Sequence, residues 1–358
     1  MSRSGEFAGR VVVVTGAAAG VGRAVAMQFA RAGARLGLIS RDGTALEALA
    51  GEIRAAGGVA VPAAIDVSDA GAVFTTAERF TKELGPLDIW VNDAMLTVFA
   101  PVARIAPEEF RRVTDVTYLG VVHGTMAALR QMRGRGRIVN IGSALAYRGI
   151  PLQSAYCGAK HAIRGFTAAL RTELRHQRSR ISVSIVELPA MNTPQFDWAR
   201  THMPRQPRPM GTIYQPEAAA RAVIRAARTG AREYWVGWPT FVTIVGNMVA
   251  PAFMDRYLAG SAIQGQQTGK PVPPDRRDNL VAPVTGLHRT HGSFDSRSKP
   301  SATILSGDWA RVLVLACGSL AFVLLGAAFA LTVRRPASGI ARNAAWRVRS
   351  VVRSVLGS

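Results

Sequence analysis

Between Arg10 and about Gly237 short apolar runs alternate with amphipathic stretches, and this alternation constrains the fold more than any other property of the chain. The apolar runs fall near 10–15, 35–40, 59–65, 87–92, 136–142, 181–187 and 232–237. Helical spacing occupies 20–32, 43–56, 69–84, 107–133, 154–178 and 215–229. Strands too short to bury a core alone, separated by helices that carry the chain back, imply an α/β fold. It is a doubly wound parallel sheet of about seven strands with helices on both faces.

The first turn, Thr15-Gly16-Ala17-Ala18-Ala19-Gly20-Val21-Gly22, follows an all-valine strand and opens a helix. Glycines there let the backbone amides of Gly16, Gly20, Val21 and Gly22 approach a pair of phosphates at a helix start. The spacing is G-x-x-x-G-x-G, not the commoner G-x-G-x-x-G. A second stretch, Gly136 to Phe166, ends a strand at Gly142-Ser143 and places Tyr156 and Lys160 four residues apart on one helix face. A hydroxyl, a phenol and an ammonium in one space make a proton donor and acceptor, its tuner, and a group that orients a substrate oxygen.

The glycine loop, the Ser143–Tyr156–Lys160 spacing and the strand order together resemble the short-chain dehydrogenase/reductase family, over roughly residues 7–237. The resemblance implies a Rossmann-type sheet and hydride transfer between a nicotinamide cofactor and a carbonyl or alcohol, with Ser143, Tyr156 and Lys160 catalytic. Tyr156 would act as general acid/base, and Lys160 would lower its pKa while holding the ribose. At the end of the second strand Ser40 occupies the position of an NAD-selecting acid and Arg41 follows it, which favours NADP(H) over NAD; the bland reading of Arg41 is a solvated loop residue. Asp66 matches the family's adenine-contacting aspartate, since Ser68 and Asp69 are better placed to cap the next helix. Asn92 and Thr193 match further cofactor positions. Asp93, Met95 and Ala190 depart from the family pattern, and Thr117 stands where an asparagine usually holds the relay water. These departures keep open a second reading, a weakly catalytic or non-catalytic cofactor-binding membrane scaffold or sensor. Residues 194–215, with Phe196, Trp198, Met203, Met210 and Tyr214, read as an apolar substrate wall.

The formal charge of +21 comes almost entirely from arginines scattered over helix surfaces. Without aromatic interleaving or a recognised module they point to anionic lipid, with no nucleic acid as partner. Cys157 and Cys317 form no disulfide framework, and Cys157 reads as a small core residue. His288 and His291 lack a supporting ligand cluster, so no metal is expected.

Four segments follow: a catalytic domain over 1–258, an irregular linker over 259–308 that wraps the enzyme or stays mobile, an apolar helix over 309–335, and a basic amphipathic tail over 336–358. Trp238–Met254 is free of charge but broken by Pro239 and Pro251, as suits a helix beside the pocket or dipping into an interface. Val312–Val333 carries no charge and lies between Arg311 and Arg334-Arg335, which meets the criterion for a membrane span with Trp309 as interface anchor. Gly318 and Gly326 permit close helix approach and so homo-oligomerisation. In Ile340–Leu356 valines share one face and arginines the other, as in a helix on anionic lipid. A cytoplasmic catalytic domain and a cytoplasmic arginine tail cannot both follow from one span, so the segment is either single-pass with its tail translocated or re-entrant.

Overall fold

The computed structural model describes residues 5–334. The expected helix over Ile340–Leu356 lies outside the described residues. In chain order the principal elements are β1 (Val11–Thr15), α1 (Gly20–Arg31), β2 (Arg35–Ser40), α2 (Gly43–Ala55), β3 (Val59–Ala64), α3 (Ala70–Leu84), β4 (Ile89–Asn92), α4 (Pro107–Thr114), α5 (Gly120–Gln131), β5 (Arg135–Ile141), α6 (Ser154–His176), β6 (Arg180–Glu187), α7 (Pro216–Thr229), β7 (Glu233–Val236), α8 (Gly237–Val249), α9 (Pro251–Gly265), β8 (Ile304–Ser306) and α10 (Gly307–Arg334).

Their ends follow local chemistry. Asp42 and Asp69 cap α2 and α3 by accepting from Ala45 N and Ala72 N at 3.0 Å each. Pro216 opens α7, and Gly230, at φ +66°, closes it in the left-handed conformation. The single helix expected over 107–133 is instead interrupted by a π-helical turn, Asp115–Leu119, between α4 and α5.

The sheet runs β8-β7-β6-β5-β4-β1-β2-β3. Its first seven strands by sequence pair in parallel. Alternation along β1 divides the core: Val12 and Val14 pack with α1, α2 and α7 on one face, Val11 and Val13 with α3, α5 and α6 on the other. After β3 the chain crosses to β4 on the far side of β1, so a crevice opens beyond the carboxyl ends of β1 and β4.

Beyond the seven expected strands lies an eighth from the segment read as irregular. Strand β8 pairs antiparallel with β7, Tyr234 opposite Ser306 and Val236 opposite Ile304, and covers the open sheet edge. Residues 259–308 therefore wrap the enzyme. Helix α9 runs through the expected junction at 258/259, Gln267–Pro271 pairs with Arg205–Pro207, and Ser298–Lys299 pairs with Ile213–Tyr214. Residues through Asp308 form one compact unit and those from Trp309 a second. Within α10, Gly307–Leu325 has a mean hydropathy of 1.8, long and apolar enough to cross a membrane by length and composition.

Candidate active site

The glycine turn between β1 and α1 has the conformation its sequence requires. Gly16 and Gly20 adopt φ of +71° and +56°. A Cβ on Gly22 would stand 2.3 Å from Gly16 O, and one on Gly16 would stand 2.9 Å from Ala94 N. Only glycine leaves room for a loop this tight beside α1, and the result is a cradle of backbone amides at a helix start. Val21 and Thr193 line the same cleft.

Strand β5 ends at Ile141, and Ser143 follows in extended conformation, its hydroxyl accepting from Leu145 N at 3.1 Å. Tyr156 and Lys160 project from the first turns of α6 into the space beside it, and all three residues line one cavity. Burial pushes the Tyr156 phenol above its ordinary range, and a hydrogen bond with Ser143 pulls the other way. Lys160 stands one turn along α6 from Tyr156. Its Nζ donates to Ile141 O at 2.6 Å and lies 5.6 Å from the Tyr156 ring centroid. Burial lowers Lys160 to about 8, while the carboxyls of Asp93 and Glu187 hold it up. Those carboxyls are themselves desolvated, Asp93 raised to about 7 and Glu187 to about 8. Burial likewise pushes Cys157 up to about 11 and keeps it a thiol.

Asn92 and Thr117 both have structural duties. Asn92 donates to Asn140 Oδ1 at 2.9 Å and Thr125 Oγ1 at 3.1 Å, and accepts from Trp90 Nε1 at 2.7 Å. Its buried amide braces β4 against β5 and α5. Thr117, in the π-helical turn, accepts from Leu96 N at 2.9 Å and donates to Leu96 O at 3.1 Å. Its hydroxyl is tied to both the amide and the carbonyl of Leu96, so its proton is committed to the backbone.

At the other end of the cleft Asp66 accepts from Ser68 N at 2.9 Å and pairs with Arg112. Arg112 on α4 went unread in the sequence, since nothing local links it to residue 66. Arg41 is not a solvated loop residue. Its terminal nitrogens donate to main-chain carbonyls of Asn279, Leu280 and Val281.

The cavity holds about 670 Å³ and extends from Gly16, Ser40, Arg41 and Asp66 past Ser143 and Tyr156. Phe196, Trp198 and Met210 from the expected substrate wall line it, whereas Tyr214 belongs to the core.

A family model described as short chain dehydrogenase matches residues 10–203. The chain belongs to the short-chain dehydrogenases. Among the relatives of this short-chain dehydrogenase is the uncharacterized oxidoreductase YxnA of Bacillus subtilis, 30% identical over 78% of this chain and 80% of its own length. The probable oxidoreductase EphD of Mycobacterium tuberculosis is 41% identical over 48% of this chain, but the match spans only 29% of EphD. A metagenomic short-chain oxidoreductase solved with NADP is 29% identical, covers 62% of this chain and 91% of its own, and superposes with a TM-score of 0.53. A Burkholderia phymatum family member solved with NAD, 24% identical over 75% of this chain and 99% of its own, has a TM-score of 0.62 and shares the fold. This short-chain dehydrogenase is therefore an oxidoreductase acting on CH–OH groups with a nicotinamide cofactor. The glycine cradle, too close for any Cβ, fits the phosphates of such a group.

Proposed function

We propose that the protein is an NADP(H)-dependent oxidoreductase that interconverts a carbonyl and an alcohol on an apolar, lipid-like substrate. It works from the cytoplasmic side of a membrane to which α10 attaches it. One observation carries the reading. The cavity around Ser143 and Tyr156 is lined from α8 and α9 by Val242, Phe253 and Tyr257, which are also 45%, 64% and 53% exposed. Trp238, Met248 and Val249 continue this outward apolar face on α8. Apolar side chains that line the cavity and face outward suit a substrate and a surface of the same character.

Within the site Tyr156 gives its proton to the carbonyl oxygen during reduction and takes it back during oxidation. Ser143 hydrogen-bonds that oxygen, and Lys160 supplies positive charge beneath the phenol. The bound cofactor supplies or accepts the hydride. Gly16, Gly20, Val21 and Gly22 would hold its phosphates, with Thr193 at its nicotinamide end. Preference for NADP(H) rests on Ser40, which puts no carboxylate at the end of β2, and on the guanidinium of Arg41.

The test is turnover by the full-length protein in detergent, with NADPH and NADH followed separately. Substrates are aldehydes of increasing chain length, ketosteroids and 3-oxoacyl compounds. Each methylene that enters the cavity should raise kcat/KM by up to about fourfold. Tyr156→Phe should lower turnover by about 10²–10⁴-fold with cofactor binding retained. No dependence on chain length would remove the lipophilic substrate, and a Tyr156→Phe enzyme keeping more than about a tenth of the rate would remove Tyr156 as the acid.

A further inference from the structure

Residues 279–293 cross the cofactor cleft from its adenosine end to its nicotinamide end and bind the very groups that a dinucleotide would use. Leu280 is the anchor, 1% exposed, in the core cluster that holds Ile39, Ala63 and Val67. On either side of it the main chain turns its carbonyls towards two arginines. Arg41 donates to Val281 O at 2.8 Å and Leu280 O at 3.4 Å through one terminal nitrogen, and to Asn279 O through the other. Arg112 donates to Leu280 O at 3.1 Å. Further along, His288 lies 3.2 Å from Asp42 and packs on Trp198 with ring centroids 5.0 Å apart. Arg289 O accepts from the Gly20 amide at 3.0 Å, and Thr290 accepts from Arg23 at 2.9 Å. The Gly292 amide then donates to Asn192 O at 3.1 Å, next to Thr193. Asn279, Pro283, Val284 and His288 line the cavity from this side.

We propose that Asn279–Val281 is a cofactor-specificity element: its carbonyls compete with a 2′-phosphate for Arg41. The proposal deepens the NADP(H) reading and rests on it. Both terminal nitrogens of Arg41 are engaged, so a 2′-phosphate must take them from the strap. A phosphate dianion matches the guanidinium fork bidentately and with opposite charge, which three neutral carbonyls do not. NADP(H) can therefore displace this part of the strap, but pays for it with those bonds. NAD(H), with a hydroxyl at the same position, gains nothing by moving Arg41 and leaves the bonds of Asn279–Val281 in place, whereas the Gly20 amide must leave Arg289 O for either dinucleotide. Native selectivity for NADP(H) is then smaller than Arg41 alone would confer.

The full-length chain in detergent is titrated calorimetrically with 2′,5′-ADP and with 5′-ADP, adenosine fragments that undergo no reaction. Leu280→Ser removes the anchor without touching Arg41. It should tighten 2′,5′-ADP by about tenfold, the worth of one charge-assisted hydrogen bond, and leave 5′-ADP within about twofold. On an Arg41→Ala background the same change should affect neither ligand. Hydrogen exchange on the unmutated chain is the independent measurement. Binding of 2′,5′-ADP should speed amide exchange over 279–283, and 5′-ADP should not. The proposal fails if Leu280→Ser weakens both ligands alike or changes neither, or if 2′,5′-ADP slows exchange in the strap. If Arg41→Ala leaves 2′,5′-ADP affinity unchanged, the NADP(H) reading itself falls. If Arg41→Ala weakens that ligand while Leu280→Ser does not tighten it, only the strap is refuted.

Discussion

Asp93→Asn should make the protein more stable, and the gain should grow with pH. Asp93 follows β4 and is half-buried beside the glycine loop, where it lines the cleft with Lys160. Burial raises its carboxyl to about 7, although the charge of Lys160 and a hydrogen bond from the Gly22 amide both oppose the rise. The unfolded chain loses this proton near the ordinary 3.8, so between 3.8 and about 7 the folded state holds a proton that the unfolded state has released. The contribution of Asp93 to stability is thus complete below 3.8 and is lost as pH rises through about 7. Integrated over that window the loss is about 4 kcal/mol, an upper figure because Lys160 titrates nearby. An asparagine keeps an oxygen for the Gly22 amide and has nothing to ionise. Urea unfolding of the full-length protein in detergent, followed by tryptophan fluorescence, should show the variant gaining about 3 kcal/mol on wild type between about pH 4 and pH 8. A difference that stays constant across this range would show that Asp93 does not titrate as its burial requires.

Two further outcomes concern the same site. Lys160 loses its proton near about 8, so kcat for reduction should fall on the alkaline side of that pH, and Glu187→Gln, which removes a carboxyl supporting the cation, should move the limb to lower pH; a limb that stays in place would separate Glu187 from the lysine. Thr117→Asn should not restore a relay, because it breaks both hydrogen bonds to the Leu96 peptide at a fully buried position. The expected result is a loss of about 1–3 kcal/mol in urea unfolding with no gain in kcat, and a gain of about tenfold would place a working amide in the relay.

The seven parallel strands were legible because each announces itself locally, as an apolar run bounded by turn residues, and parallel pairing then follows from the helices between them. Ser143, Tyr156 and Lys160 were legible for the same reason, since a strand end and an i,i+4 pair on a helix need no knowledge of distant residues. What was not legible involves partners far along the chain. The amide of Asn92 is engaged by Asn140 and Thr125, 48 and 33 residues away, and the hydroxyl of Thr117 by Leu96. The strand Ile304–Ser306 is three residues long and is stabilised by the edge it covers, not by a pattern of its own.

The strap is the extreme case. The acceptors for Arg41 are main-chain carbonyls about 240 residues away. A carbonyl is present in every residue, so no side chain in 279–281 records the contact. Composition alone made that segment look like a linker. Its positional clue is the short apolar run Leu280-Val281-Ala282-Pro283-Val284, of which the structure buries Leu280 and Val284 and leaves Val281 71% exposed. Buried side chains that fix a polar main chain over charged ones let a segment without regular secondary structure hold a defined position. Release requires Leu280 to leave the core and Asn279 to leave Trp198, after which all three carbonyls let go of Arg41.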